Sequence, residues 1–173
     1  MNFKEKTIKK DYVFCGKILN VRKDDIILPN GKNATREVVE HVGGSAVYCE
    51  RDNKVLLVKQ YRYPYGEELW EIPAGKLNEG EDPKITAIRE LEEEGGIKAD
   101  RVVKIFDVYP TPGYSNEIIR IYRAEGLTET KQKLDEDEFL TGEWFDFDRV
   151  KQMIKDGLIK DGKTLIALLN QLK

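Results

Sequence analysis

Between Gly75 and Ile97 the chain reads GKLNEGEDPKITAIRELEEEGGI, which gathers Glu81, Glu90, Glu92, Glu93 and Glu94 around a single arginine, Arg89. Carboxylates held this closely repel one another. A like-charge pair four apart, such as Glu90 and Glu94, costs an isolated helix roughly 0.2–0.5 kcal/mol, and partial burial raises that cost. A divalent cation reverses the sign of the effect, because hard oxygen ligands suit Mg²⁺ or Mn²⁺. The chemistry open to such a site is that of a bound hard divalent cation. The plainer alternative is a solvated acidic helix face with Arg89 as a local ion-pair partner.

These groups need a helix to hold them. Asp82 followed by Pro83 is a helix start, since the Asp side chain accepts from unpaired N–H groups and Pro is tolerated at the first helical position. Gly95-Gly96 is a stop. At about 100° per residue, Ile85, Ala87, Ile88 and Leu91 fall on one side, the expected core face, while Glu90, Glu93 and Glu94 share an adjoining arc.

Strand-like runs flank the helix on both sides. Tyr12–Leu19, Arg22–Leu28 and Ala34–Val42 form a first block, residues 1–42, with Pro29-Asn30-Gly31 as a turn. That block is too small to hold a core alone, so it must pack on the rest or on a second copy of the chain. A second block, residues 43–173, carries strand candidates at Ser45–Glu50, Val55–Tyr61 and Leu69–Ile72, with Asp52-Asn53 as a hairpin signal. Further strands are expected at Val102–Tyr109, Glu117–Ala124 and Glu143–Phe147. Two helices close the chain, one capped by Asp148 and ended by Gly157, the other running from Asp161 to Leu172. Strands and helices interleaved in this way predict an α+β fold, an α/β/α sandwich around a mixed sheet, preceded by a small antiparallel β segment.

Composition bounds the partners. With 173 residues, a net charge of −3 and 35% charged residues of both signs, the chain has no basic footprint for a nucleic-acid backbone, and a small phosphorylated metabolite is the expected ligand. Cys15 and Cys49 are the only cysteines, with no CxxC spacing, and read as two reduced thiols. No apolar run approaches a membrane span and no signal-peptide core follows Met1, so the expected location is the cytoplasm.

The 23-residue stretch also fits a longer pattern: Gly75, Glu81, Arg89-Glu90, Leu91, Glu93-Glu94, Gly96 and Ile97 meet every fixed position of the signature that marks Nudix hydrolases. The resemblance implies a metal-dependent pyrophosphohydrolase acting on a nucleoside diphosphate linked to another group. It further implies a loop–helix–loop that holds the metal through Glu90 and Glu94, with Glu93 as a further acid of the cluster and Arg89 orienting the glutamates. Upstream, Gln60-Tyr61-Arg62 leading to Leu69-Trp70-Glu71-Ile72-Pro73-Ala74 resembles the approach to this box in the ADP-ribose pyrophosphatase subgroup, which implies a phosphate contact for Arg62 and a metal-binding carbonyl at Ala74.

Three more features bear on the substrate. Pro112, about fifteen residues past the box, is the mark of the ADP-ribose subgroup, with Gly113 and Glu117 resembling its substrate loop; Tyr114 is the corresponding mark of the diadenosine polyphosphate subgroup. The acidic segment Leu134-Asp135-Glu136-Asp137-Glu138 resembles the loop that supplies a general base and a further metal ligand, which implies Glu136 and Glu138 in those two roles, in either order. Arg36, Glu37 and His41 resemble a segment that reaches the substrate from the partner of a homodimer. The resulting expectation is a homodimeric Mg²⁺-dependent enzyme, with Mn²⁺ as an alternative ion, that cleaves ADP-ribose or a related ADP-sugar to AMP and ribose 5-phosphate. The competing expectations are hydrolysis of another nucleoside diphosphate sugar or of a dinucleoside polyphosphate, and a non-catalytic nucleotide-binding regulator on the same fold.

Overall fold

The computed structural model describes residues 2–172, so that Met1 and Lys173, the outer ends of the two expected blocks, lie outside the described residues. The chain divides into two compact units, Met1–Gly43 with Tyr109–Ile118, and Gly44–Val108 with Ile119–Lys173.

The first unit is an antiparallel meander of β1 (Lys6–Cys15), β2 (Asn20–Ile27) and β3 (Asn33–Glu40). The turn between β2 and β3 sits at the Pro-Asn-Gly segment, where Gly31 takes a φ of 81° that L side chains resist, and Gly31 N donates to Leu28 O at 2.9 Å. Asp24 is buried on β2 and accepts from Arg22 Nε at 2.9 Å, while Arg22 also pairs with Glu40. The Tyr109–Ile118 segment joins this sheet through Val39, whose N donates to Tyr114 O at 2.7 Å and whose O accepts from Asn116 N at 3.2 Å. β1 starts at Lys6, not Tyr12, and ends at Cys15, after which the chain bends at Lys17 and Ile18. Its opening Lys-Thr-Ile-Lys-Lys is exposed on both faces, so no alternation announces it.

In the second unit, β4 (Gly44–Tyr48), β8 (Ala74–Lys76), β9 (Ile97–Val108) and β10 (Ile119–Glu129) form a mixed sheet in the order β8-β4-β10-β9, with β4 and β10 parallel. A second sheet is antiparallel: β6 (Lys54–Arg62) pairs with β11 (Leu140–Asp146), β5 (Glu50–Arg51) and β7 (Glu67–Glu71). Mixed pairing is therefore confined to one of two sheets.

Period-two alternation sends the strand residues to two cores. Ala46, Tyr48, Val55, Leu57 and Ile121 pack with Val150 and Met153 of α2 (Phe147–Lys155) and with Ala167 and Leu168 of α3 (Gly162–Gln171). Val47, Leu56 and Tyr122 pack instead with Ala87 and Leu91 of α1 (Pro83–Gly95). Helices thus cover both faces of the strands, the expected α/β/α layering. α2 begins two residues earlier than its sequence cue: Asp146, not Asp148, is its cap, and Asp146 makes no side-chain capping bond. β8 escapes a propensity reading because it is three residues long, follows Pro73 and contains Gly75. Among the described residues no helix is long and apolar enough to cross a membrane.

Candidate active site

The site is assembled by α1, by β8 beside it and by the loop that enters β11. Asp82 caps α1 by accepting from Lys84 N at 2.8 Å, an interaction that stabilises a helix by about 1 kcal/mol. Gly96, at a φ of 61°, ends it. The buried face of α1 consists of Thr86, Ala87, Glu90, Leu91 and Glu94. Ile85 is exposed, contrary to its place on the expected core face, and two glutamates take the interior instead.

Those glutamates are packed against β8. Glu94 accepts a hydrogen bond from Ala74 N at 2.9 Å. The Glu90 carboxylate occupies the space where a Cβ on residue 75 would lie, so Gly75 is the residue that lets it in. Arg89 then ties the cluster together: its guanidinium donates to Glu81 at 3.1 Å, to Glu90 at 2.7 Å and to Glu93 at 2.8 Å. Arg89 holds the Glu81 carboxyl down at about 2, its hydrogen bonds to Glu81 outweighing the opposing desolvation.

Glu90 and Glu94 behave in the opposite sense. They are 6% and 4% exposed, and burial pushes Glu90 up to about 7 and Glu94 up to about 8, with the neighbouring charge of Glu138 adding to both. Arg89 on Glu90, and Arg62 with the Ala74 N–H on Glu94, offset only part of this. Among the described residues no three carboxylate, thiol or imidazole side chains converge into a ready ligand set. The donor chemistry nonetheless fits a hard divalent cation: two buried carboxylates short of positive charge, a third acid in electrostatic reach, and a backbone fixed beside them.

Glu138 is half-buried in a turn, where its N donates to Asp135 O at 3.0 Å. Glu136 lies exposed on the same loop, with no hydrogen bond or ion pair among the described residues. Arg62 presents two N–H groups to Glu71, at 2.6 and 2.7 Å. Ala74, Arg89, Glu90, Glu93, Glu94, Glu138 and Arg62 all belong to the second unit.

The other candidates belong to the first unit. Arg36 pairs with Glu5 and donates to Thr35 O at 2.9 Å, and Glu37 is exposed beside it. His41 Nδ1 lies 3.3 Å from Glu117 and accepts from Gly43 N at 3.1 Å. Pro112 and Gly113 are exposed in the segment that carries Glu117. Two residues escaped the sequence reading: Glu71, a carboxylate 3% exposed, and Lys163, which pairs with it from α3. Their separation of 92 positions hides the pair, and the only local signal is an acid inside an apolar strand, Leu69-Trp70-Glu71-Ile72.

A family model, the NUDIX domain, matches residues 39–168. The chain belongs to the Nudix family. A second model, the nucleoside diphosphate sugar hydrolase N-terminal domain, matches residues 5–39. The Nudix chain is 44% identical over 169 residues to the methanol dehydrogenase activator of Bacillus methanolicus, spanning 96% of this chain and 91% of that protein. It is 41% identical over 170 residues to the ADP-ribose pyrophosphatase of Bacillus subtilis (strain 168), spanning 96% and 92% respectively. A crystal structure of an ADP compounds hydrolase superposes with a TM-score of 0.84 at 20% identity, covering 96% of this chain and 91% of that one, a likeness of fold. Nudix enzymes depend on a divalent metal, which accords with the donor set built by Glu90 and Glu94.

Proposed function

We propose that this Nudix chain is a pyrophosphohydrolase that cleaves the diphosphate of ADP-ribose, or of a related ADP-sugar, to AMP and ribose 5-phosphate. The observation that carries the reading is the burial of Glu90 and Glu94 side by side against Ala74, a costly arrangement that a bound cation stabilises. The identity of 41% to an ADP-ribose pyrophosphatase over nearly the whole chain supports the substrate.

In this reading the Ala74 carbonyl, Glu90, Glu94 and Glu138 would hold Mg²⁺, or Mn²⁺ in its place. The ion would supply positive charge against the negative charge of the diphosphate and would polarise a phosphoryl oxygen. Arg89, bound to Glu81, Glu90 and Glu93, keeps the acids from splaying apart. Arg62 contacts a substrate phosphate. As water attacks phosphorus, a new P–O bond forms, the bridging P–O bond breaks, and Glu136 takes the proton; free of other partners, it is the better base. Substrate roles for Arg36, Glu37, His41, Pro112, Gly113 and Glu117 rest on the subgroup resemblance.

The test is a substrate panel with Mg²⁺: ADP-ribose, ADP-glucose, GDP-mannose, NADH and diadenosine polyphosphates. AMP release fastest from ADP-ribose is the expected result, preference for another member moves the substrate, and turnover of none sinks the enzyme reading. That last outcome would favour a second reading, a regulator of another enzyme, which the 44% identity to an activator protein supports.

The same reading makes the protein a homodimer of the cytoplasm, where an exposed free thiol such as Cys15 stays reduced. β1 is an edge strand whose Ile8, Tyr12, Val13 and Phe14 are all more than half exposed, an apolar surface that a second copy would cover. Sedimentation equilibrium should return twice the chain mass of 20.0 kDa, and Phe14→Asp should shift it toward the monomer. A monomer at micromolar concentration would rule this out.

A further inference from the structure

The first turn of α3 is joined to Arg62 by an unbroken circuit of charged and polar contacts that the reaction as described does not use. Glu71 accepts both Arg62 N–H groups and also pairs with Lys163. Lys163, whose side chain is 9% exposed, reaches Asp161 at 3.0 Å. Asp161 accepts from Thr164 N at 2.9 Å and from Thr164 Oγ1 at 2.6 Å. Thr164 Oγ1 in turn accepts from Ile72 N at 2.9 Å, which brings the circuit back to the residue beside Glu71.

The charges balance, with Glu71 and Asp161 against Arg62 and Lys163. Such closure matters in a poorly solvated place, where an unmatched charge is costly and a satisfied network is rigid. Burial pushes the Glu71 carboxyl up, yet the Arg62 hydrogen bonds and the Lys163 charge hold it below the usual carboxylate range. Arg62 spends Nε and Nη2 on Glu71, which fixes the plane of the guanidinium and leaves its Nη1 edge without a partner among the described residues. Ile72, whose N–H closes the circuit, lies two residues before Ala74.

We infer that Lys163 and Glu71 are positioning residues for Arg62: α3 locks the Glu71 carboxylate, and the carboxylate aims the free guanidinium edge at the diphosphate of the substrate. The inference rests on the proposed function for its substrate, and on geometry alone for the circuit. Lys163 acts through Glu71 and touches no reacting atom. Removing it leaves Glu71 free to rotate with Arg62, which weakens phosphate binding more than the chemical step.

Lys163→Met and Lys163→Arg separate this from a role in folding. In ADP-ribose hydrolysis, Lys163→Met should raise KM about tenfold with kcat within about twofold, the loss expected from one misaligned charge-assisted contact. Lys163→Arg, which keeps a cation at Glu71, should recover KM to within about threefold. An independent readout is the Arg62 Nε–H resonance in the two-dimensional NMR spectrum of the full chain: sharp in the wild type and in Lys163→Arg, broadened or shifted in Lys163→Met. An unchanged KM in Lys163→Met overturns the inference, as does a loss of thermal stability with KM and the Arg62 resonance unaltered. If the wild type releases no AMP from ADP-ribose, the functional reading fails while the resonance still decides the circuit: loss in Met and recovery in Arg uphold it, and an unperturbed signal in Met removes it.

Discussion

Glu94→Gln should lower AMP release from ADP-ribose by on the order of 100-fold or more at saturating Mg²⁺, with no loss of thermal stability when melted in EDTA. The two halves of this expectation have one cause. Gln has the volume of Glu, and its carbonyl can still accept the Ala74 N–H that Glu94 now receives at 2.9 Å. The other terminal atom becomes an NH₂ donor, which cannot serve as a cation ligand and places two hydrogens where an oxygen lone pair is needed. Catalysis therefore loses a ligand. Without the cation folding loses little, because a side chain 4% exposed and pushed up to about 8 is largely protonated at pH 7, and Gln is a close mimic of that neutral form. Glu93→Gln is the internal control. Its carboxylate is about a third exposed and tied to Arg89, so the expected loss is about tenfold, transmitted through the arginine. Equal losses at positions 93 and 94 would remove the distinction between ligand and support, and a wild-type rate in Glu94→Gln would end the assignment altogether. Steady-state assays and thermal melts on the three proteins supply both halves of the comparison.

What the sequence makes legible is set by range. Helix α1 could be bounded because Asp82-Pro83 and Gly96 act within one turn of themselves. Its buried face could not, because periodicity assigns charges outward and apolar groups inward. Glu90 and Glu94 break that rule through a neighbour, β8, whose Gly75 has no Cβ to keep Glu90 out. The ion pair of Arg62 with Glu71 spans nine positions across paired strands, while Lys163 comes from 92 residues away. Nothing in spacing links those residues, and only the fold does. The same holds for Asn116, which receives the His41 N–H at 2.9 Å from 75 positions away, so that the segment after the box closes on the first block of strands.

Without a divalent cation the protein should lose stability as pH rises from about 5 to about 9, against the usual behaviour of an acidic protein, and Mg²⁺ should restore it. Unfolded carboxyls titrate near 4.3, whereas Glu90 is raised to about 7 and Glu94 to about 8 by burial, with Glu138 adding to both. A raised folded value means that the native state binds protons more tightly than the unfolded chain. The contribution is fully present below the unfolded value and is lost as pH climbs through the folded ones. Glu81, held at about 2 by Arg89, has the opposite sense, with stability present above its unfolded value and lost only as pH falls toward 2. It leaves the range above pH 5 to the buried pair. The shift of Glu90 alone corresponds to on the order of 3 kcal/mol, or roughly 10 °C in melting temperature for a domain of this size. A cation bound to the ionised pair acts the other way: it stabilises only the native state and must displace protons, so its affinity rises with pH. Melting curves in EDTA and in Mg²⁺, at about pH 5.5 and about pH 9, should therefore show the larger cation-induced gain at the higher pH. Equal gains at both, or an EDTA-treated protein that is more stable at pH 9, would mean that Glu90 and Glu94 are not the ionising groups that bind the metal.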